Sequence, residues 1–274
     1  LSLPDASSVS AADVPAMPVA SPPDRALIDP KRGKYERPLP ERALFVFTPE
    51  DLKDALRSLT FSGAPSRQAA GSRRHRKIFL CGVTEGIFGG VPIAVAGPML
   101  GAPQAVLVLE KLIALGVRRC LALGWCGSLN STVRIGDVVV PRWAWSEEGT
   151  SAHYPLAERP VADPQLVETV LTGLRGCEGL TVHEGPVWTT DAPYRETEAK
   201  VLHYRDKGAL GVEMETSALF TVAAYRRIAL AVVLVVSDDL SRMEWRHGYR
   251  DPRFKAVRAF LPERLLQLLT RSFP

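Results

Sequence analysis

No stretch of this 274-residue chain is long and apolar enough for a membrane-spanning helix. The longest apolar run, 228–236, is strand-sized, against the ~20 residues a span needs. There is no strong charge of one sign: 34 basic against 30 acidic residues leave a net charge of +4, too mild to argue for nucleic acid. No Cys-x-x-Cys pair occurs. The four cysteines (Cys81, Cys120, Cys126, Cys177) are scattered, which suits free thiols in a reducing cytoplasm better than a disulfide framework or a zinc site. Neither a metal nor a cofactor is therefore expected. The sequence starts on Leu1 rather than Met, which points to a removed piece, and no charged-then-apolar leader remains. Internal repeats are absent. A composition of 46% hydrophobic and 23% charged residues excludes a mostly disordered protein.

Proline is plentiful, and much of it lies at the start. Pro15, Pro18, Pro22, Pro23, Pro30, Pro38 and Pro40 block helix and central strand alike, so 1–40 reads as an extended arm, either a free tail or a strap across a neighbouring subunit. Residues 41–274 alternate β-rich runs with helical stretches and form one domain. Strands are expected at 43–47, 77–83 and 91–96 (the last two bracketing a turn at Gly86, Gly89 and Gly90), 120–123, 137–140, up to 212, and 229–236. Helices are expected at 49–59, 102–115, from Asp163, near 195–207, 215–226 and 252–271. The fully apolar 229–236 run implies burial on both faces. This order predicts a three-layer αβα sandwich around a twisted mixed sheet.

Chemistry gathers where such strands end. Gly97-Pro98-Met99-Leu100-Gly101-Ala102-Pro103 is a turn that allows close backbone approach to a ligand, or simply a structural turn. Gly124-Trp125-Cys126-Gly127-Ser128-Leu129 offers an indole face to a ring, or a tryptophan covering the core; the Cys126 thiol lacks an activating partner and reads as structural. Glu213-Met214-Glu215 and Ser237-Asp238-Asp239 bring acids to strand ends. There they accept hydrogen bonds from vicinal hydroxyls or hold a proton, or else merely cap helices. A Gly-x-Gly-x-x-Gly fingerprint, which a dinucleotide-dependent oxidoreductase would carry, is missing.

Taken in order, these blocks resemble the nucleoside phosphorylase family, in the branch with purine nucleoside phosphorylase, uridine phosphorylase and methylthioadenosine/S-adenosylhomocysteine nucleosidase. The matching segments are 97–103, 112–117, Gly124 to Leu129 with Ile135-Gly136-Asp137, Glu148-Gly149-Thr150-Ser151, Thr190-Asp191-Ala192-Pro193-Tyr194, Val212-Glu213-Met214-Glu215 and Val236-Ser237-Asp238. The resemblance runs from about Ala43 to the C-terminus. It implies cleavage of a nucleoside's glycosidic bond. Glu215 would bind ribose hydroxyls, Met214 pack on the sugar, Glu213 support that loop, and Asp238 serve N7 of a departing purine. Tyr194 would face the base, and Trp125, Cys126 and Gly127 would lie against the substrate. Uridine phosphorylases carry a Gln-x-Arg pair where this sequence has Thr197 and Ala199, so a purine-type base is implied. Homo-oligomers that share sites between subunits are the family's habit.

The departures fall on phosphate. Phosphorylases of this branch place arginines at the positions of Asp51 and Ala122 and a hydroxyl residue at Trp125. Neither Asp nor Ala makes an arginine's paired bonds to phosphate. Hydrolytic members carry Glu at the position of Asp51 as general base for water, so hydrolysis is favoured, with Asp51 as that base. Phosphorolysis, with the cluster Arg73-Arg74-His75-Arg76-Lys77 supplying inorganic phosphate ligands to a neighbour, and a non-catalytic nucleoside-binding relative remain alternatives. That cluster otherwise reads as a solvated loop.

Overall fold

Three helices begin on the same device, a capping side chain followed by proline at the first helical position. Thr48 caps Pro49–Arg57 (α1), Asp163 caps Pro164–Arg175 (α3) and Asp251 caps Pro252–Thr270 (α6), each side chain accepting a bond from a backbone N–H of the first turn. The other helices are Ala102–Ala114 (α2), Glu198–Asp206 (α4) and Thr216–Arg226 (α5). The N-cap of α2 is Gly101 at φ +80°, backbone that an L side chain rarely adopts. Inside α6 stands the buried Pro262, which has no N–H to give to the carbonyl of Arg258 one turn earlier. The computed structural model describes residues 26–61, 74–156 and 159–271.

Among the described residues twelve strands form one mixed sheet. One run is β2 (Arg74–Ile78), β3 (Cys81–Phe88), β4 (Val91–Gly97), β1 (Arg42–Val46), β5 (Arg119–Ser128), β10 (Gly211–Glu213), β9 (Val187–Thr189) and β7 (Ala144–Ser146). On the other edge of β5 lies β11 (Ala229–Asp239), which also pairs β12 (Arg246–His247) and β6 (Val138–Val140); β6 in turn pairs β8 (Val182–Glu184). Helices α1, α3 and α6 pack together, as do α2 and α5, giving the three-layer αβα arrangement around the sheet.

The middle of the sheet positions the site. β11 runs beside β5 along its whole length in parallel, whereas the opposite edge of β5 changes partner. β1 covers 119–123, then antiparallel β10 takes Gly127 and Ser128. Gly124, Trp125 and Cys126 lie where one neighbour has left and the next has not arrived. Such a break in strand order opens a crevice.

Several sequence expectations need correction. The 77–83 run is two strands, because Phe79 and Leu80 form a hairpin turn with Phe79 at φ 54°, and Gly86 lies within β3. The basic cluster is no loop: Arg74 to Lys77 form edge strand β2, and Arg76 pairs with Glu85, while Arg73 lies outside the described residues. β5 continues through the glycine block that reads as a turn, and β11 continues through Asp239, with a register shift that leaves Ser237 as an extra residue. Of the arm, 1–25 lies outside the described residues. Residues 26–40 carry no regular element and lie on α2, where Lys111 bonds Lys31 O and Glu36 and buried Leu39 donates to Leu115 O.

Candidate active site

The β10–α5 junction is built on buried carboxylates. Glu213 takes the backbone N–H groups of Glu215 and Thr216, each at 2.7 Å, and the Thr189 hydroxyl. It thereby satisfies the open N-terminus of α5. Thr189 Oγ1 also receives Ser217 N at 3.0 Å, and the Ser217 hydroxyl donates to Glu148 Oε1 at 2.9 Å, so β9, α5 and the loop after β7 are tied into one support. Among the described residues, Glu215 is held by backbone donors alone, chiefly Gly101 N–H at 2.6 Å to Oε1, with Met214 N–H adding to it. Burial first, then the nearby charge of Glu213, pushes its carboxyl from 4.5 up to about 8. The arrangement gives Glu213 the donors and leaves Glu215 able to take more.

Asp238 stands across β5 from that junction. Its Oδ1 accepts from the Ser237 hydroxyl at 2.6 Å and its Oδ2 from Trp245 Nε1 at 3.0 Å. Burial raises its carboxyl above the ordinary range, against the pull of those two donors. The glycine at 127 makes this fit possible, since a Cβ there would sit 2.8 Å from Asp238 Oδ2 and 2.7 Å from Leu240 Cδ1. Glu196, from the loop after β9, adds a second acid. Burial and the charges of Asp238 and Glu147 push it up to about 7.

Beside the Gly97–Gly101 turn lies a cleft of about 980 Å³ whose walls include Met99, Leu100, Trp125, Tyr249, Phe254 and Arg258. Trp125 meets Phe254 edge-on at 5.0 Å and Tyr249 at 6.0 Å. Its indole N–H donates to Asp51 Oδ2 at 2.7 Å, and Arg258 Nε donates to Asp51 Oδ1 at 2.6 Å. Arg258 Nη2 reaches Asp54 at 2.6 Å.

The structure therefore places Glu213, Met214 and Glu215 at the β10–α5 junction on one edge of β5 and Asp238 on the other, with Gly127 between the two strands, and puts Trp125 on the cleft wall. Three expected residues are placed otherwise. Asp51 is 0% exposed, behind Trp125 and Arg258. Cys126 is buried, and burial raises its thiol well above the usual range, with Asp238 and Glu213 adding to the effect, so it presents no reactive side chain. Tyr194 is 100% exposed on a 3-10 turn, Pro193–Arg195, and covers no base within its own chain. Sequence reading missed Arg258, Glu196, Trp245 and Tyr249. Arg258 lies 207 positions from Asp51, and its only sign is its place one helical turn after Phe254 on α6. Among the described residues no group of three or more His, Cys, Asp or Glu is arranged to hold a metal ion.

Comparison with known proteins places these features. A family model described as the phosphorylase superfamily matches residues 41–270. A guanosine phosphorylase of Halorubrum lacusprofundi is 30% identical over 153 residues, 56% of this chain and 64% of that protein. A DeoD-type purine nucleoside phosphorylase of Bacillus cereus is 33% identical over 161 residues, 57% of this chain and 67% of that one. The match thus spans about two-thirds of these relatives' length. In fold, a uridine phosphorylase from Vibrio fischeri superposes with a TM-score of 0.71 at 20% identity, covering 85% of this chain and 93% of that one. A purine nucleoside phosphorylase from Toxoplasma gondii gives 0.71 at 19%, covering 84% and 90%.

Proposed function

Because this chain belongs to the phosphorylase superfamily, we propose that it cleaves the N-glycosidic bond of a purine-type nucleoside, with water as the nucleophile. One observation carries the reading. Glu215 and Asp238 come from distant parts of the sequence, yet β10, which leads into Glu215, and β11, which carries Asp238, pair with opposite edges of β5 at Gly127, through Val212 and Asp238. Both acids thus arrive at the same end of β5. Glu215 accepts the ribose hydroxyls, whose donated bonds pull it back to its charged form, and that negative charge then stabilises the sugar as it turns cationic. Asp238, whose burial shifts it toward the protonated form, gives a proton to N7 as electrons flow into the leaving base. Met214, partly exposed between the acids, packs on the sugar, and Glu213 fixes the backbone that carries Glu215. Two relatives named for guanosine and purine nucleosides support a purine.

Water is favoured over phosphate because the cleft wall offers an indole and an arginine already spent on carboxylates. Phosphorolysis is the second reading, and Lys255, on the cleft beside Arg258, favours it. The wholly exposed Tyr194 is explained by a homo-oligomer in which a neighbour covers the site, and the free cysteines suit a cytoplasmic enzyme. The test is base release from a nucleoside panel with and without phosphate. Free ribose at a phosphate-independent rate is expected, with Asp238→Asn slower on purines by ~10²–10⁴-fold. Ribose 1-phosphate as product would replace water by phosphate, and unchanged turnover in Asp238→Asn would remove the acid.

A further inference from the structure

The strongest donors on the cleft wall are already occupied from behind. An indole N–H and a guanidinium N–H converge on the two oxygens of Asp51, at 2.7 and 2.6 Å, and the guanidinium spends another N–H on Asp54. Trp125 and Arg258 line the cleft, whereas Asp51 has no exposed surface. Converging charge-assisted donors on a planar oxyanion are how proteins bind phosphate and carboxylate. Here the oxyanion is part of the chain. We propose that Asp51 is a resident anion, a specificity-determining residue that fills the cleft's oxyanion donors and so keeps inorganic phosphate out.

This rests on the hydrolytic reading and gives it a cause. An incoming phosphate would have to displace a carboxylate held in place by the fold, whose effective concentration exceeds any dissolved anion by orders of magnitude. Charge opposes it too. Arg258 faces both Asp51 and Asp54, two negatives against one positive, and the other charged side chains on the cleft, Glu50 and Lys255, offset each other. Water, small and neutral, meets neither obstacle. The same geometry takes Asp51 out of the running as a general base, because a base has to touch the water it deprotonates. Asparagine at position 51 keeps the shape but turns one acceptor into an N–H donor, so one of the two converging donors is released toward the cleft.

The test uses the full chain and inorganic phosphate. The wild-type melting temperature should not respond to phosphate. That of Asp51→Asn should rise by about 3–5 °C once phosphate exceeds its Kd tenfold, and base release should become phosphate-responsive. Asp51→Asn combined with Arg258→Gln should lose both responses. If Asp51→Asn does not fold, Asp54→Asn frees the other guanidinium edge at a partly exposed partner, and a smaller shift is expected. No shift in any folded variant, or an equal shift in the wild type, overturns the proposal. So does loss of base release in folded Asp51→Asn with no gain of phosphate binding, which would make Asp51 the base. Free ribose from a wild type whose variants ignore phosphate defeats this inference alone; ribose 1-phosphate from the wild type defeats the hydrolytic reading with it.

Discussion

Glu215 is a buried acid whose few donors, all from the backbone, leave its charge costly in the folded chain. Its folded pKa of about 8 lies above the ordinary 4.5, so between these values the folded chain holds a proton that the unfolded chain releases. Stability tied to this group is fully present below about pH 4.5 and is lost as pH climbs to about 8. Glu215→Gln removes the titration and keeps an oxygen for the Gly101 N–H. Its melting temperature should exceed that of the wild type by an amount growing across that window, on the order of several degrees at pH 8, as thermal melts at a series of pH values will show. The same variant should lose roughly 10²–10³-fold in kcat/KM, the loss typical of one missing transition-state contact. An equal melting difference at pH 5 and pH 8 would refute the assignment. At this scale the sequence was most legible. Acids at strand ends are visible as Glu-Met-Glu and Ser-Asp, because a carboxylate beside an apolar strand stands out whatever surrounds it. Their hydrogen-bond partners, Gly101 and Trp245, were not, since nothing local announces a contact made by folding.

Between elements, the clearest tie is the one from α1 to α6. Arg258 bridges Asp51 and Asp54, with its own side chain mostly covered. Truncating one partner of a buried ion pair strands the other charge, so Arg258→Met should cost about 3–5 kcal/mol in urea denaturation. Adding Asp51→Asn to that variant should return most of the loss, because the stranded charge is then gone. If the double variant is no more stable than the single one, the cost is packing rather than charge. Most elements were foreseeable from proline caps and apolar periodicity. The misses share a cause. Strand ends are expected at 123 and 236, before the glycine block at 124–129 and before Ser237-Asp238, because polar and glycine residues usually break strands. In the fold β5 and β11 support each other through that stretch, and the bulge at Ser237 absorbs the irregularity.

For the molecule as a whole, strand alternation announced the αβα class but not the order of strands in the sheet. β10 enters antiparallel beside β5 after a long excursion, a pairing no local pattern encodes, and it is this insertion that brings Glu215 opposite Asp238. The cleft wall has a further property that follows from Pro262. The half of α6 after it is held by buried Leu265, Leu266, Leu268 and Leu269, while the half before it is held by buried Phe254, Val257 and Leu261 and lines the cleft with Phe254, Lys255 and Arg258. Since Pro262 leaves the Arg258 carbonyl without its helical bond, the two halves are coupled less stiffly than a continuous helix would be. Pro262 is thus the joint at which the cleft wall would bend, against the ties made by Phe254, Val257 and Arg258, on the microsecond-to-millisecond scale on which helices shift. Relaxation dispersion should show exchange in the backbone amides of 253–259 that Pro262→Ala quenches by restoring the missing bond. Equal dispersion in both proteins would mean the wall does not move there. If it does, a residue that lines no part of the cleft, one helical turn beyond Arg258, governs how wide the cleft stands.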